Sequence, residues 1–266
     1  MAITKVTSDL LNSTALTSKA FGTSSIMIGD DATGTIDAAN YNVGLGVDVF
    51  AALTTGDNNV AIGFQALKSN TTGHSHVAVG YAALDANTTG IENVAVGHNA
   101  LTSNTTGASN VAVGPFALRD VTTGQSNTAL GYAAAYLTTT ASNNTAVGNL
   151  ALGANTTGTE NVAVGALALD ANTTAHENTA IGYLTLSANT TGGANTALGA
   201  AALRNNTTAA NNTAIGRTAM QSNTTGANNT AVGKEALKVN TTGAGNTGVG
   251  FTALDACTTG AYNVAV

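Results

Sequence analysis

The stretch Asn59–Ser75, NVAIGFQALKSNTTGHS, decides the fold because versions of it recur at every 17th position along almost the whole 266-residue chain. A glycine closes the phrase Asn-Thr/Val-Ala-Val/Ile/Leu-Gly thirteen times, from Gly46 to Gly250, and a weaker copy ends at Gly29. A fixed period of this length is typical of a stacked array and not of a globular enzyme domain. The repeat therefore limits which functions we consider.

Within one repeat the pattern predicts two short strands and two turns, since a repeat of this length is too short for two helices and a turn. Val60 and Ile62 share one face of the first strand, and Ala61 takes the other. Gly63 and Gly73 provide the positive φ or the close backbone approach that tight corners require. The predicted corner glycines of this phrase include Gly63, Gly80, Gly97, Gly114, Gly131, Gly148 and Gly165.

Stacking the repeats as parallel strands places equivalent residues in columns, about 4.8 Å apart. One column is Leu from Leu67 onward, and two are Asn, beginning in this repeat at Asn59 and Asn70. Stacked Asn side chains can hydrogen-bond from one coil to the next. We therefore expect an all-β parallel β-roll or β-solenoid with 17-residue coils, forming a rod of roughly 60–65 Å.

The apolar columns predict an interface. A 17-residue coil encloses a thin interior, with room mainly for the Ala61 column, so the Val/Ile face should form an exposed stripe along the rod. Such a stripe usually marks an interface, and self-association about a rotation axis buries it on every copy. We expect three chains. The predicted trimer interface or core residues are Ile62, Val79, Val96, Val113, Val147, Val164, Ile181, Ile215 and Val232.

Composition excludes several partners. The net charge is −6 with 8 Lys and Arg, which argues against a nucleic-acid surface. Aromatic residues are 4% with no Trp, so stacking platforms should be scarce. The opening residues contain no long apolar run typical of a secretory signal, and no window is long enough for membrane insertion. We expect synthesis in a cytoplasm.

The pattern predicts no catalytic, metal or cofactor site. The four His residues are scattered, and His76 simply replaces the repeat Asn. Glu160 and Glu177 share a column in adjacent coils, but they should lie at an exposed corner without a pocket. The Gly-Gly-x-Gly-x-Asp phrase of calcium-binding rolls is absent. Cys257 occupies a position that is Asn in most repeats and has no evident activating partner.

The phrase Asn-Thr/Val-Ala-Val/Ile-Gly-x-x-Ala over residues 25–266 resembles the head repeats of trimeric autotransporter adhesins, which are left-handed parallel β-rolls. It is also similar to repeats in tail-fibre and structural proteins of marine bacteriophages. The first resemblance implies a left-handed, trimeric roll. An autotransporter also needs a secretory signal, a coiled-coil stalk and a membrane barrel, and the sequence shows none of these, so we favour the phage fibre.

We expect residues 1–24 to be a segment that docks onto other virion proteins or starts the trimer, although a plain N-terminal tail is an equal alternative. Residues 25–266 should form about 14 coils. Because the last repeat stops at Val266, we expect a continuation or a capping partner.

The leading hypothesis is a non-enzymatic virion protein, a tail or capsid fibre or spike that serves host attachment or acts as a spacer. Its receptor would be a surface polysaccharide or protein. The alternatives are a bacterial adhesin head, a depolymerase, and an ice-binding or other ligand-binding solenoid. In the ice-binding case Thr71 and Thr72 would point to opposite faces, leaving one Thr file outward.

Overall fold

The computed structural model describes residues 39–266 and the backbone of two further strands at 17–19 and 26–29. Within these residues, sixteen strands form one sheet in sequence order and there is no helix. The strands are β1 Thr17–Lys19, β2 Ile26–Gly29, β3 Val43–Leu45, β4 Val60–Ile62, β5 Val77–Val79, β6 Val94–Val96, β7 Val111–Val113, β8 Thr128–Leu130, β9 Thr145–Val147, β10 Val162–Val164, β11 Thr179–Ile181, β12 Thr196–Leu198, β13 Thr213–Ile215, β14 Thr230–Val232, β15 Thr247–Val249 and β16 Val264–Ala265.

From β2 onward each strand pairs in parallel with the next one, and each residue lies opposite its equivalent in the following repeat. Val60 is paired with Val77, and Ala61 with Ala78. This register confirms the predicted parallel β-solenoid, with about 13 turns of 17 residues. The left-handed winding and the trimeric state remain predictions.

The N-terminal strand runs the other way. β1 pairs antiparallel with β2, with Ser18 opposite Ile28. It falls inside the segment 1–24 that we expected to dock onto other proteins; the rest of that segment lies outside the described residues.

One detail of the predicted coil is wrong, because each described coil contains one strand and not two. After β4 the chain passes through turns, and Gln65 and Leu67 adopt left-handed conformations with φ of 58° and 51°. A left-handed residue at every second position prevents an extended strand. The chain can thereby return to its starting edge within a single repeat.

The turns are nevertheless bonded to neighbouring coils. The Gln65 amide donates to the carbonyl of Val47 in the preceding coil at 2.9 Å, whereas the Leu67 amide donates to Ala83 in the following coil at 3.1 Å. The Thr71 amide donates to the carbonyl of Thr88 at 2.9 Å. Each coil is therefore joined to both neighbours around its circumference, which satisfies backbone groups that the short strands alone would leave unpaired.

The interior is thin but holds more than the expected Ala column. Ala61, Ala66 and Leu67 are all fully buried, and so are Asn59 and Asn70. The expectation that Ala would occupy most of the interior is therefore wrong. Because left-handed turns replace the second strand, Leu67 and its equivalents point inward across the coil and pack against the Ala side chains.

The two buried Asn columns form the predicted ladders. In the first, the Asn93 side-chain oxygen accepts the backbone amide of Asn110 at 2.9 Å, and the Asn93 side-chain amide donates to the Gly107 carbonyl at 2.8 Å. In the second, Asn87 Nδ2 donates to Asn70 Oδ1 at 2.9 Å. Both ladders satisfy backbone or side-chain groups that would otherwise be buried without partners.

The second ladder is interrupted at Val121 and Thr138, which occupy Asn positions. Asn104 Oδ1, which precedes the interruption, has no hydrogen-bond partner among the described residues, and neither has the buried Thr138 hydroxyl. The same occurs at Asn240 Oδ1, one coil before Cys257. Since each amide donates to the Asn of the preceding coil, the last Asn before an interruption keeps an unpaired oxygen.

Candidate interaction surface

The predicted interface residues all lie on the outer face of the sheet. On each strand from β3 to β15 the middle residue is buried and its two neighbours face outward, as in β4, where Ala61 is fully buried and Ile62 is 36% exposed. Ile62, Val79, Val96, Val113, Val147, Val164, Ile181, Ile215 and Val232 are therefore surface residues of a single chain and not part of its core. They form one continuous file along the stacked coils, with Leu45, Leu130, Leu198 and Val249 in the same register position.

The neighbouring file changes composition along the rod. It consists of Val from Val43 to Val111, but after that Thr occupies all positions except Val162 up to Thr247. The outer face is thus fully apolar over its first five coils and half apolar beyond them. A surface that pairs Val with Val buries more apolar area than one that pairs Thr with Val, so the first half carries the stronger tendency to associate.

The corner glycines end this face. Each predicted corner glycine has a φ between 129° and 140°, a range that residues with a side chain rarely adopt. A Cβ atom at Gly148 would also lie only 2.6 Å from the carbonyl oxygen of Gly165 in the next coil. The glycine is therefore required both by the turn and by the approach of successive coils. The predicted positions are Gly63, Gly80, Gly97, Gly114, Gly131, Gly148 and Gly165.

Directly after the corner, aromatic side chains form a ladder. The rings of Phe64 and Tyr81 stack with centroids 5.3 Å apart, and those of Tyr81 and His98 with centroids 5.1 Å apart. Phe116 packs edge-to-face against His98 at 5.0 Å and Tyr132 at 5.9 Å. We call Phe64, Tyr81, His98, Phe116 and Tyr132 the ring ladder.

Sequence reasoning missed this ladder because the aromatic content was judged as an average over the chain. Alignment of the repeats carries the signal, since Phe64, Tyr81, His98 and Tyr132 share one register position and Phe116 is one place beyond it. Next to the ladder, the guanidinium of Arg119 lies 3.6 Å from the ring centroid of Tyr136 and forms a two-pronged ion pair with Asp120.

The titratable side chains of residues 39–266 do not converge on a reaction centre. Glu160 and Glu177 are exposed at successive corners, and Asp85 and Asp170 lie five coils apart. Burial raises the pKa of Asp85 and of Asp170 above the usual range of a carboxyl group. Within the same residues, no three His, Cys, Asp or Glu side chains are grouped as a metal ion would require.

His76 is a deeply buried ionisable group that stands in a ladder position. Its Nδ1 accepts the Asn93 backbone amide at 3.1 Å, and its Nε2 lies 2.7 Å from the carbonyl oxygen of Gly90. These are the two partners that Asn has elsewhere in the column, which requires a neutral ring with the proton on Nε2. Burial lowers the pKa of His76 to about 4.

As expected, the two adjacent Thr residues at the corner of each coil differ in orientation: one is hydrogen-bonded to the next coil and the other faces outward. The hydroxyl of Thr71 donates to the carbonyl of Thr88 in the next coil at 2.9 Å, whereas Thr72 is exposed. The Thr71 file therefore serves the coil-to-coil bonding and offers no second outward row of hydroxyls.

No family model, curated protein or solved structure matches the chain. Within the described residues, no helix has the length and apolar character needed to cross a bilayer. The geometry of the outer surface is therefore the feature of the molecule that bears on function.

Proposed function

We propose that this chain is a virion structural protein, a fibre or spike component that assembles as a homotrimeric rod for host attachment or as a spacer. The observation that carries the proposal is the continuous file of Val, Ile and Leu side chains on the outer face of the stacked coils. A monomer would leave this file in water along its entire length, which soluble monomers rarely do.

The size of this face supports self-association. It is about 60 Å long and about 10 Å wide, so each chain offers about 600 Å² and three chains together bury about 1,800 Å² over their three contacts, comparable to the roughly 1,600 Å² of total surface in one stable interface. A threefold arrangement brings each chain against two others and places equivalent coils at the same level. The low charge of the chain, 8% of all residues, leaves few unfavourable contacts in such an arrangement.

Native mass spectrometry tests the assembly. We expect a mass of three times 26.0 kDa for the purified chain. Val96→Lys places three ammonium groups at one level of the apolar interface and should give monomers, because a buried like-charged cluster is strongly unfavourable. Thr106→Lys in the same coil is the matched control, since Thr106 lies on the exposed corner, and it should leave the trimer intact.

A monomeric wild-type chain would contradict the trimer, and so would a Val96→Lys variant that keeps the wild-type mass. The virion assignment has its own test, which is the search for peptides of this chain in gradient-purified phage particles. Their presence would support a fibre. Detection of the chain only on the outer surface of bacterial cells would instead favour the adhesin head.

A further inference from the structure

Four of the five side chains of the ring ladder are exposed and Phe116 is half-buried, although aromatic side chains are usually the first to be buried. Tyr81 and Tyr132 are 50% and 52% exposed and Phe64 is 41% exposed, whereas Phe50 in the core is fully buried. The ladder also lies past the corner glycines, so it belongs to the flank of the rod and not to the Val/Ile face. Neither the core nor the proposed trimer face explains why rings are collected here.

The orientation of the rings gives the ladder both apolar and polar contact groups. Phe64, Tyr81 and His98 are stacked within 19° of parallel, so they cover one another and present ring edges outward. Phe116 is turned by 70° relative to His98, so its plane runs along the stack and not across it. A Tyr has an apolar ring and a hydroxyl that prefers a partner, which suits a ligand with both kinds of surface.

The surroundings of the ladder are electrically balanced. Lys68 lies 3.9 Å from Asp48, and Arg119 is paired with Asp120 at 2.6 Å. Asn99 and Gln65, which follow ladder residues directly in the chain, are neutral. The cations near the ladder are thus already neutralised and would attract a polyanion only weakly, and the net charge of −6 would oppose one.

The ladder is periodic, with ring centroids 5.0–5.9 Å apart along the axis of the rod. A ligand that contacts several equivalent levels at once gains from each of them, provided that it repeats along its own length. An extended, uncharged polymer with alternating C–H faces and hydroxyl groups has these properties. We propose that the ring ladder binds a neutral linear polysaccharide that lies along the rod. This proposal specifies the receptor class for the attachment role proposed above, and it rests on that role.

Binding of defined hexasaccharides tests the proposal. The probes are cellohexaose, laminarihexaose, maltohexaose and N-acetylchitohexaose, with an alginate hexamer as the charged comparison. Saturation-transfer NMR and calorimetric titration on the full chain should detect at least one neutral hexasaccharide and no preference for alginate. Tyr81→Ala, at the centre of the stack, should weaken that binding at least tenfold.

Tyr183→Ala is the matched control. Tyr183 occupies the same register position and is 56% exposed, but its neighbours in that column are Ala166 and Ala200, so it is not stacked on a ring above or below it. Its loss should leave binding unchanged. Both variants should remain folded because both rings lie outside the core, although Tyr81→Ala should melt at a slightly lower temperature since it loses its ring contacts with Phe64 and His98.

Three outcomes would overturn the proposal: no neutral hexasaccharide binds at millimolar concentration, alginate binds more tightly, or the two variants lose binding equally. A change of mass in Tyr81→Ala would also overturn it, since the ladder would then be an interface between copies. The wild-type mass separates the two proposals. A trimer that binds no hexasaccharide contradicts the receptor class alone, whereas a monomer with Tyr81-dependent binding contradicts only the trimeric fibre.

Discussion

Gly233 and Gly250 occupy the same corner of successive coils. Comparing them separates two reasons for glycine at that position, which are the positive φ of the turn and the close approach of the next coil. Their φ values are 135° and 125°, but a Cβ atom at Gly233 would overlap the carbonyl of Gly250, whereas one at Gly250 would have no described atom within 4 Å. In a polypeptide that ends at Val266, where no further coil packs on Gly250, we expect Gly250→Ala to cost about 1–3 kcal/mol from backbone strain alone. Gly233→Ala should cost more than about 3 kcal/mol because the coils must also move apart.

Chemical unfolding of both variants measures the difference. It isolates the approach of the coils from the strain of the turn, since the two substitutions are chemically identical. Equal losses would show that close approach contributes nothing and that backbone conformation alone selects glycine at the corner.

His76 predicts a pH dependence of stability. Its pKa in the folded chain is about 4, below the ordinary value of 6.5, so the folded state binds the proton more weakly than the unfolded state. The stabilising contribution of the neutral ring is complete above pH 6.5 and is lost as the pH falls from 6.5 to 4. The loss amounts to about 3 kcal/mol at most.

The control for this effect is His76→Asn, which restores the residue found at this position in the other coils. Asp85 and Asp170 titrate in both proteins, so the difference between the two stability profiles isolates the imidazole. We expect the thermal unfolding temperatures of wild type and variant to diverge below pH 6.5. Parallel profiles between pH 4 and 6.5 would mean that His76 is not held neutral by burial.

The second Asn ladder allows a prediction about an entire column. Val121→Asn alone supplies a donor to Asn104 Oδ1, but its own oxygen can accept only from the hydroxyl of the shorter Thr138 side chain, so the gain should be small. The double variant with Thr138→Asn should connect Asn104 to Asn155 without interruption. We therefore expect a favourable coupling of about 1 kcal/mol between the two substitutions.

A double-mutant cycle from urea unfolding of the wild type, both single variants and the double variant measures this coupling. Strict additivity within about 0.5 kcal/mol would show that the ladder bonds act independently of their continuation. Val121→Ala gives the cost of the lost volume at the same fully buried position.

The strand and ladder columns were predictable because they follow from two periods, 17 between coils and 2 within a strand. Ala61 faces inward and Ile62 outward for that reason. The left-handed conformations of Gln65 and Leu67 were not predictable, since neither residue type favours them. They follow from the need to close each coil within one repeat, which is a property of the closed loop and not of the local sequence.

The ring ladder was missed for a different reason. Tyr81 and His98 are one full repeat apart, and neither residue is unusual when the chain is read in sequence order. Their contact follows from the register alone. In a repeat chain of this kind, the composition of a surface is therefore visible only when the repeats are aligned.

Because the whole molecule is an array of equivalent coils, we expect the fold to tolerate the deletion of one complete coil. Deletion of residues 195–211 moves Asn212 into the position of Asn195 and keeps all columns in register. Because contacts extend only to adjacent coils, we expect a folded rod that is shorter by about 5 Å, with a small loss of stability. Small-angle scattering and thermal unfolding measure these two quantities.

Deletion of residues 195–202 is the contrasting case. The part of that coil that remains is too short to close a turn, so the stack is interrupted and the unfolding temperature should fall steeply. If both deletions were equally stable, the 17-residue coil would not be the unit of folding.

The coil-to-coil bonds described above, such as the one from the Thr71 amide to the Thr88 carbonyl, run along the axis of the rod. A tensile load on the two ends therefore peels the bonds of one coil at a time and does not shear many together. Each released coil exchanges about 4.8 Å of rod for up to about 58 Å of extended chain. A tether of this construction lengthens in steps under load, and a coil can close again on its neighbour when the load is removed.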